Sequence, residues 1–393
     1  MIRSGWIGKV AALLRLPLPV GLLLLVRVML LMSTTPETLR GFGDLPHFWG
    51  WTSLAGLPYI HYWVEFPPVF PYLSELLGWL AGGQEHVYDT LLVAVLALAD
   101  AGSLAAFLRI AEKVGIESGG EWRAWSYFAF LAALPYTWWY FDPLAVLALL
   151  LAIEVVLEER SVRGGLLVGL GILLKLFPAL ILPAVWRRYP WRKALMMSAA
   201  AGLAATIVYG GLFLVSPRQT AASLVVQANK GSWETVWALV DGNLMTGNVV
   251  SQPAERLDPA AASLSHRSTA VIPTWLTLLV FGGLGLAAFF TSRVTDGRGL
   301  IAFAGLTFAL FLSWSPGWSP QWVLYLLPVI LLCLPKPRAL LLAVALVLTN
   351  LLEWPVLLSR WRFDGLWLTA PVRALLLLLL AWSCYEVVRR VKA

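Results

Sequence analysis

Apolar runs of Leu, Ala and Val fill most of this chain, separated by short polar segments that are basic or rich in aromatics and proline. The runs are continuous rather than alternating, and most approach the roughly 20 residues that let a helix cross a bilayer. They predict an all-α polytopic membrane protein and exclude a β-barrel, whose strands alternate apolar and polar positions. Pro17–Met32 predicts a retained first span, because Met1 to Arg15 is too basic and too loosely followed by a cleavage site for a removed signal. Further spans are predicted over about 87–108, 124–140, 143–157, 194–215, 273–291, 299–314, 321–335, 339–352 and 367–388.

Loop charges orient these spans, since cytoplasmic loops carry an excess of Lys and Arg. Arg3, Lys9 and Arg15 precede the first span, Arg109, Lys113 and Arg123 follow the second, and Arg160 and Arg163 follow the fourth. Arg293, Arg298, Lys336, Arg338, Arg389, Arg390 and Lys392 mark the same side further on. The outer side keeps Arg40, Arg218, Lys230, Arg256, Arg267, Arg360 and Arg362.

One stretch breaks the alternation. GGLLVGLGILLKLFPALILPAVWRR (164–188) has cations at both ends, which predicts a broken hairpin over 164–186 turning at Lys175-Leu-Phe-Pro178. The expected architecture is a bundle of about ten full spans plus this re-entrant hairpin, with both termini cytoplasmic. Residues 1–393 form one integral membrane unit, with outer loops at 34–86 and 216–272.

Composition fits this picture: 59% of residues are hydrophobic and 13% charged, where soluble domains carry about a quarter charged residues. The net charge of +7 resides largely in loops between spans, so the expected partner is the lipid bilayer and not nucleic acid. Cys333 and Cys384 lie in apolar helices and read as small core residues, and with four scattered histidines no metal or other cofactor is expected. A basic, disulfide-free chain suits a prokaryotic plasma membrane, or the endoplasmic reticulum membrane if the source is eukaryotic.

The unusual polar residues converge on the outer side. In GFGDLPHFWGWTSLAGLPYIHYWVEFPPVFPYL (41–73), Asp44 lies between glycine and aromatic neighbours. A partly desolvated carboxylate has raised proton affinity and suits a general base. His47, His61 and Glu65 share that loop as candidate pocket residues, although histidines in aromatic surroundings commonly bond to backbone. Asp142 lies in the turn before the fourth span, and Gln227, Lys230, Glu234, Asp241, Asn243 and Asn248 lie in loop 216–272. Gln321 follows span eight, and Glu353, Arg360, Arg362 and Asp364 occupy the last outer loop. A cavity opening outward is the natural inference.

Lys175 stands out inside the hairpin. An ammonium at membrane depth is a functional candidate by default, and an anion such as a lipid phosphate is a suitable partner. Arg27 and Arg373 have Asp100 and Glu353 as prospective ion-pair partners. The 21 tryptophans gather near span ends as an aromatic belt; Trp49, Trp51 and Trp63 are candidates to stack on a sugar ring.

Several stretches together resemble the GT-C superfamily of membrane glycosyltransferases, and are most similar to the polyprenol-phosphate-mannose-dependent α-mannosyltransferases of glycosyltransferase family 87. They are the aspartate loop followed by EFPPVFPYL (65–73), with Phe66 where that family has tyrosine, then YFDPLAVLALLLA (140–152), GLGILLKLFPALILP (169–183), SPQWVLYLLP (319–328) and NLLEWP (350–355). The likeness runs from about residue 20 to 360. It implies a GT-C-like fold and transfer of a sugar, mannose for that family, from a polyprenyl-phosphate donor to a glycolipid or glycan acceptor outside. It carries the base over onto Asp44 and a donor-phosphate contact onto Lys175; Arg360 and Arg362 of the last outer loop are further phosphate candidates apart from the resemblance. Asp142, Gln321 and Glu353 carry over as pocket residues. Residue 46 is Pro, so an Asp-x-Asp pair is absent, and a metal is not implied.

The chemistry fits independently. A sugar on a lipid phosphate already has a good leaving group, so the site needs a base for the acceptor and cations for the departing phosphate. Attack opposite that phosphate inverts the anomeric centre, giving an α product from a β donor. No glycine-rich phosphate loop lies on the cytoplasmic side, which speaks against a nucleotide-sugar donor. The rival reading is a transporter of a lipid-linked or anionic substrate, which also uses broken helices with a buried cation. Against it, no inverted repeat is visible and the polar residues collect in long outer loops.

Overall fold

The computed structural model describes residues 17–115, 120–248, 252–264 and 267–389. The terminal cations Arg3, Lys9, Arg15, Arg390 and Lys392 used above for orientation lie outside those residues. Helix accounts for 78% of the structure, and among the described residues there is no β-strand. Helices satisfy their own backbone groups, which a hydrocarbon environment requires.

The described residues open with α1 (Leu18–Ser33), the short α2 (Pro36–Arg40) and α3 (Leu45–Thr52), and α4 (Val69–Leu80). Then come α5 (Glu85–Lys113), α6 (Glu121–Ala133), α7 (Tyr136–Trp139), α8 (Asp142–Leu157), α9 (Ser161–Leu174), α10 (Leu182–Arg188) and α11 (Trp191–Val215). The segment 216–272 holds α12 (Pro217–Asn229) and α13 (Val236–Asp241). The last part comprises α14 (Thr274–Thr291), α15 (Gly297–Trp314), α16 (Val323–Cys333), α17 (Lys336–Leu351) and α18 (Leu366–Arg389).

Among the described residues six stretches are long and apolar enough to cross a membrane: Glu85–Lys113, Trp191–Val215, Thr274–Thr291, Gly297–Trp314, Lys336–Arg360 and Phe363–Arg389. Shorter apolar helices are Leu18–Ser33, Ser161–Leu174 and Pro320–Cys333. The expected span 124–140 is divided. The residue before a proline is driven to extended backbone, and Leu134, ahead of Pro135, adopts ψ 122° and ends α6. Conversely α5 runs on to Lys113, since Arg109, Glu112 and Lys113 are good helix formers even though they end the apolar pattern.

α16 is buried along its whole length and packs among α15, α17 and α18 at the centre of the bundle. By contrast α11 and α14 leave Leu203, Ile207, Leu214, Leu279, Leu286 and Phe290 bare, an apolar surface suited to lipid. α4 buries Phe70, Pro71, Ser74 and Leu77 and exposes Leu76, Trp79 and Leu80, so it is an amphipathic helix lying against the bundle.

α9 stops at Leu174, four residues before Pro178, whose ring is incompatible with the carbonyl of the preceding turn. Lys175 is extended there (φ −163°, ψ 144°). The chain reverses through a 3-10 turn, Phe177–Ile181, and returns along α10. Its return brings Tyr189 back to the start, where the hydroxyl donates to the Val156 carbonyl at 2.8 Å. Lys193 and Glu159 pair at that same end, 2.5 Å apart.

Charges inside the apolar runs are neutralised in pairs. Arg27 reaches Asp100 at 2.9 Å, with both side chains buried, and Arg373 reaches Glu353 at 2.6 Å. Such pairs are tolerated at depth because each ion is hydrogen-bonded to its partner.

Candidate active site

Asp44 begins α3 as its N-cap: its carbonyl accepts the Phe48 N–H at 2.9 Å, while its side chain makes no capping bond. Its own N–H donates to the Trp139 carbonyl at 2.9 Å. Gly43 permits this approach, since a Cβ there would lie 2.4 Å from Trp139 Cβ. Phe141 is pinned by Phe70, stacked at 4.0 Å between ring centroids, with Phe66 edge-on at 5.0 Å. This aromatic packing brings the start of α8 beside the start of α3.

Next to Phe141, Asp142 meets Lys175 from the hairpin apex. Lys175 Nζ donates to both carboxylate oxygens, at 2.7 and 2.9 Å. The ammonium also lies 5.0 Å from the Phe141 ring centroid and 6.0 Å from that of Trp322.

Asp44 and Lys175 open onto one chamber of about 1270 Å³. Its wall includes His47, Glu65, Tyr140, Gln227, Lys230, Trp233, Glu234, Arg267, Gln321, Trp322 and Trp354. Asp44 has no side-chain hydrogen bond or ion pair among the described residues and keeps partial access to the chamber. Burial pushes its carboxyl up to about 6, with His47 and Lys175 pulling back and Glu65 and Asp142 adding to the rise. A carboxyl at that value is a competent proton acceptor near neutral pH.

A second buried group fixes the wall. Arg256 grips Glu65 with both terminal nitrogens, the Nη2–Oε1 bond being 2.9 Å. His47 Nε2 lies 3.1 Å from the same Oε1. Burial opposes ionisation of Glu65, but Arg256 and His47 outweigh it and hold the carboxyl well below its ordinary range. The Arg256 guanidinium lies over the rings of Trp63, at 4.9 Å, and Trp51, at 5.6 Å. Gln219, Ser223 and Gln227 of α12 add bonds to residues 61–65. The segments 34–86 and 216–272 are thereby one wall.

The structure separates the remaining candidates. His61 is outside the chamber, its Nδ1 accepting the Leu57 N–H at 2.8 Å. Asp142 lies behind Lys175. Glu353 is buried away from the chamber, held by Arg373 and Thr369. Arg360 and Arg362 are exposed and line no part of it: Arg360 donates to the Val356 carbonyl at 2.6 Å, and Arg362 pairs with Asp364 at 2.9 Å. Trp51 and Trp63 are fully buried under Arg256, so the rings facing the chamber are Trp233, Trp237, Trp314, Trp322 and Trp354 instead.

Sequence reasoning placed no role on Arg256, Lys230 or Glu234. The only signal was their position: charged residues within one long polar segment otherwise dominated by small residues. Among the described residues no group of three His, Cys, Asp or Glu is arranged to hold a metal ion.

The model of one protein family, described as glycosyltransferase family 87, matches residues 63–316. No curated protein matches the chain.

Proposed function

The chain belongs to glycosyltransferase family 87, and on that premise we propose that it moves a sugar, mannose, from a polyprenyl-phosphate donor to an acceptor hydroxyl on the extracytoplasmic side. Family membership makes it a membrane glycosyltransferase; donor, sugar, acceptor and sidedness are our reading. The bundle is read as about ten crossings around the broken hairpin, both termini cytoplasmic, in a plasma membrane or, in a eukaryote, the endoplasmic reticulum.

One observation carries the mechanism: the Asp44 carboxyl, unbonded and raised to about 6, opens onto a large chamber that also holds cations. Asp44 takes the acceptor hydroxyl proton as the oxygen attacks the anomeric carbon. The bond from that carbon to the phosphate oxygen breaks, and polyprenyl phosphate leaves. Attack from the face opposite the phosphate inverts the centre. Positive groups in a chamber shielded from bulk water stabilise the leaving anion at little reorganisation cost. His47, Glu65 and Gln321 line the acceptor space in this reading, and Glu353 and Asp142 support it through Arg373 and Lys175.

Reconstituted protein given radiolabelled polyprenyl phosphomannose and membrane glycolipid extract is expected to pass label to acceptor. Asp44→Asn is expected to lower that transfer by about a hundredfold or more with an unfolding temperature no lower than that of the wild type. Unchanged turnover in this variant removes Asp44 from the mechanism. The transporter reading finds no support in the comparisons; it predicts movement of intact donor without bond cleavage in the same assay.

A further inference from the structure

The chamber's cations are not equivalent. Lys175 is taken by both oxygens of Asp142, and Arg267 donates to the carbonyls of Lys230, Thr246 and Asn248. Lys230 has no ion pair with any carboxylate among the described residues, and it faces the chamber beside the Trp233 ring, 4.3 Å from its centroid.

Trp233 is a rigid platform. Its N–H donates to the Pro316 carbonyl at 3.2 Å, and its carbonyl accepts the Trp318 N–H at 3.1 Å. Gly317 lies flat against the indole, where a Cβ would approach ring carbons to 2.1 Å. Glu234 follows with φ +53°, a left-handed conformation that costs a non-glycine residue free energy and persists only where neighbours impose it. Those neighbours are Arg373, which donates to the Glu234 carbonyl, and Thr235, whose hydroxyl donates to the Pro316 carbonyl at 2.8 Å. Glu234 lines the chamber and is 4% exposed, and its carboxyl Oε2 is buried with no hydrogen-bond partner among the described residues.

We propose that Lys230 and Glu234, flanking Trp233, form the seat for the phosphate of the lipid-linked donor. This rests on the transferase reading above and moves the phosphate contact from Lys175 to the segment 216–272. Burial and the nearby Glu353 push the Glu234 carboxyl well above its ordinary range, which favours its neutral form. A neutral carboxylic acid donates its O–H to a phosphoryl oxygen, whereas a carboxylate repels it. Lys230 supplies the charge, in a partly desolvated setting where charge-assisted bonds are strong. Lys175, already paired with Asp142, is a positioning residue beside Asp44.

The test measures binding of polyprenyl monophosphate, carrying no sugar, to the purified full-length protein in nanodiscs. Lys230→Met is expected to weaken binding by about tenfold or more and Lys230→Arg to stay within about threefold. Glu234→Gln, whose amide still donates, is expected to stay within about threefold, while Glu234→Ala falls by about tenfold. Excess phosphatidylglycerol is expected to leave binding intact. Unfolding temperatures are recorded for every variant, and Lys230→Arg and Glu234→Gln keep the test open if a truncation fails to fold. Wild-type affinity in Lys230→Met, equal losses in Glu234→Gln and Glu234→Ala, or displacement by phosphatidylglycerol each overturn the seat and leave the transferase reading standing. Failure of the wild type to bind the lipid phosphate overturns the donor class itself.

Discussion

The Lys175 ammonium holds both carboxylate oxygens of Asp142, at 2.7 and 2.9 Å, and each member of this pair acts through space on Asp44 with opposite sign. Lys175 favours the Asp44 anion and Asp142 disfavours it. Lys175→Met therefore moves the acidic limb of the kcat/KM profile to higher pH, and Asp142→Asn moves it to lower pH. The double variant returns toward wild type. Limbs that move together in the single variants contradict this arrangement.

Asp44 also sets a pH dependence of its own. Its folded value, about 6, lies above the ordinary 3.8, so the folded state binds the extra proton between those values. Its contribution to stability is present below about pH 4 and is lost as pH rises through about 6. In the proposed mechanism transfer needs the anion and runs the other way: kcat/KM is expected to fall about tenfold per pH unit below 6. In thermal unfolding, Asp44→Asn is expected to match wild type near pH 4 and exceed it at pH 8.

The Glu65–Arg256 pair joins two segments 191 residues apart. Removing one partner strands a buried charge, a loss of about 3–5 kcal/mol. Arg256→Ala is thus expected to lower the unfolding temperature sharply and open 216–272 to limited proteolysis. Glu65 is held low, so its contribution is present above about pH 4.5 and disappears only as pH falls through the folded value. Replacing both residues with leucine and methionine is expected to recover much of the loss.

At the surface, Arg360→Ala and Arg362→Ala are expected to leave kcat/KM within about twofold, as substitutions of solvated side chains away from a site do. A clear rise in donor KM would draw them back into phosphate binding.

Lys175 and the hairpin break were legible because a charge within an apolar run and a proline four residues past a helix end both carry local signals. The place of Asp44 on the chamber wall was legible from its glycine and aromatic neighbours. The partners were harder to read. Asp142 is 33 residues from Lys175, and Arg256 is 209 from His47; nothing periodic in the sequence marks such contacts. Arg27 with Asp100 and Arg373 with Glu353 were easier, because an ion in a helix at depth must find a counter-ion and few are available. Tryptophans were opaque, since a ring packed beneath a guanidinium, as Trp63 is, and one facing a chamber, as Trp233 does, have the same side chain. Helix ends shifted where propensity outlasted hydropathy, as in α5.

The 14 residues of α9 reach about 21 Å at 1.5 Å per residue, short of a hydrocarbon core about 30 Å thick. In the proposed topology the hairpin is rooted at the cytoplasmic interface, which puts the turn at Lys175 beneath the outer headgroups. With the donor proposed above, a sugar carried on a prenyl tail would then be consumed sideways, with the tail still dissolved among its neighbours, and only the water-loving acceptor would have to descend.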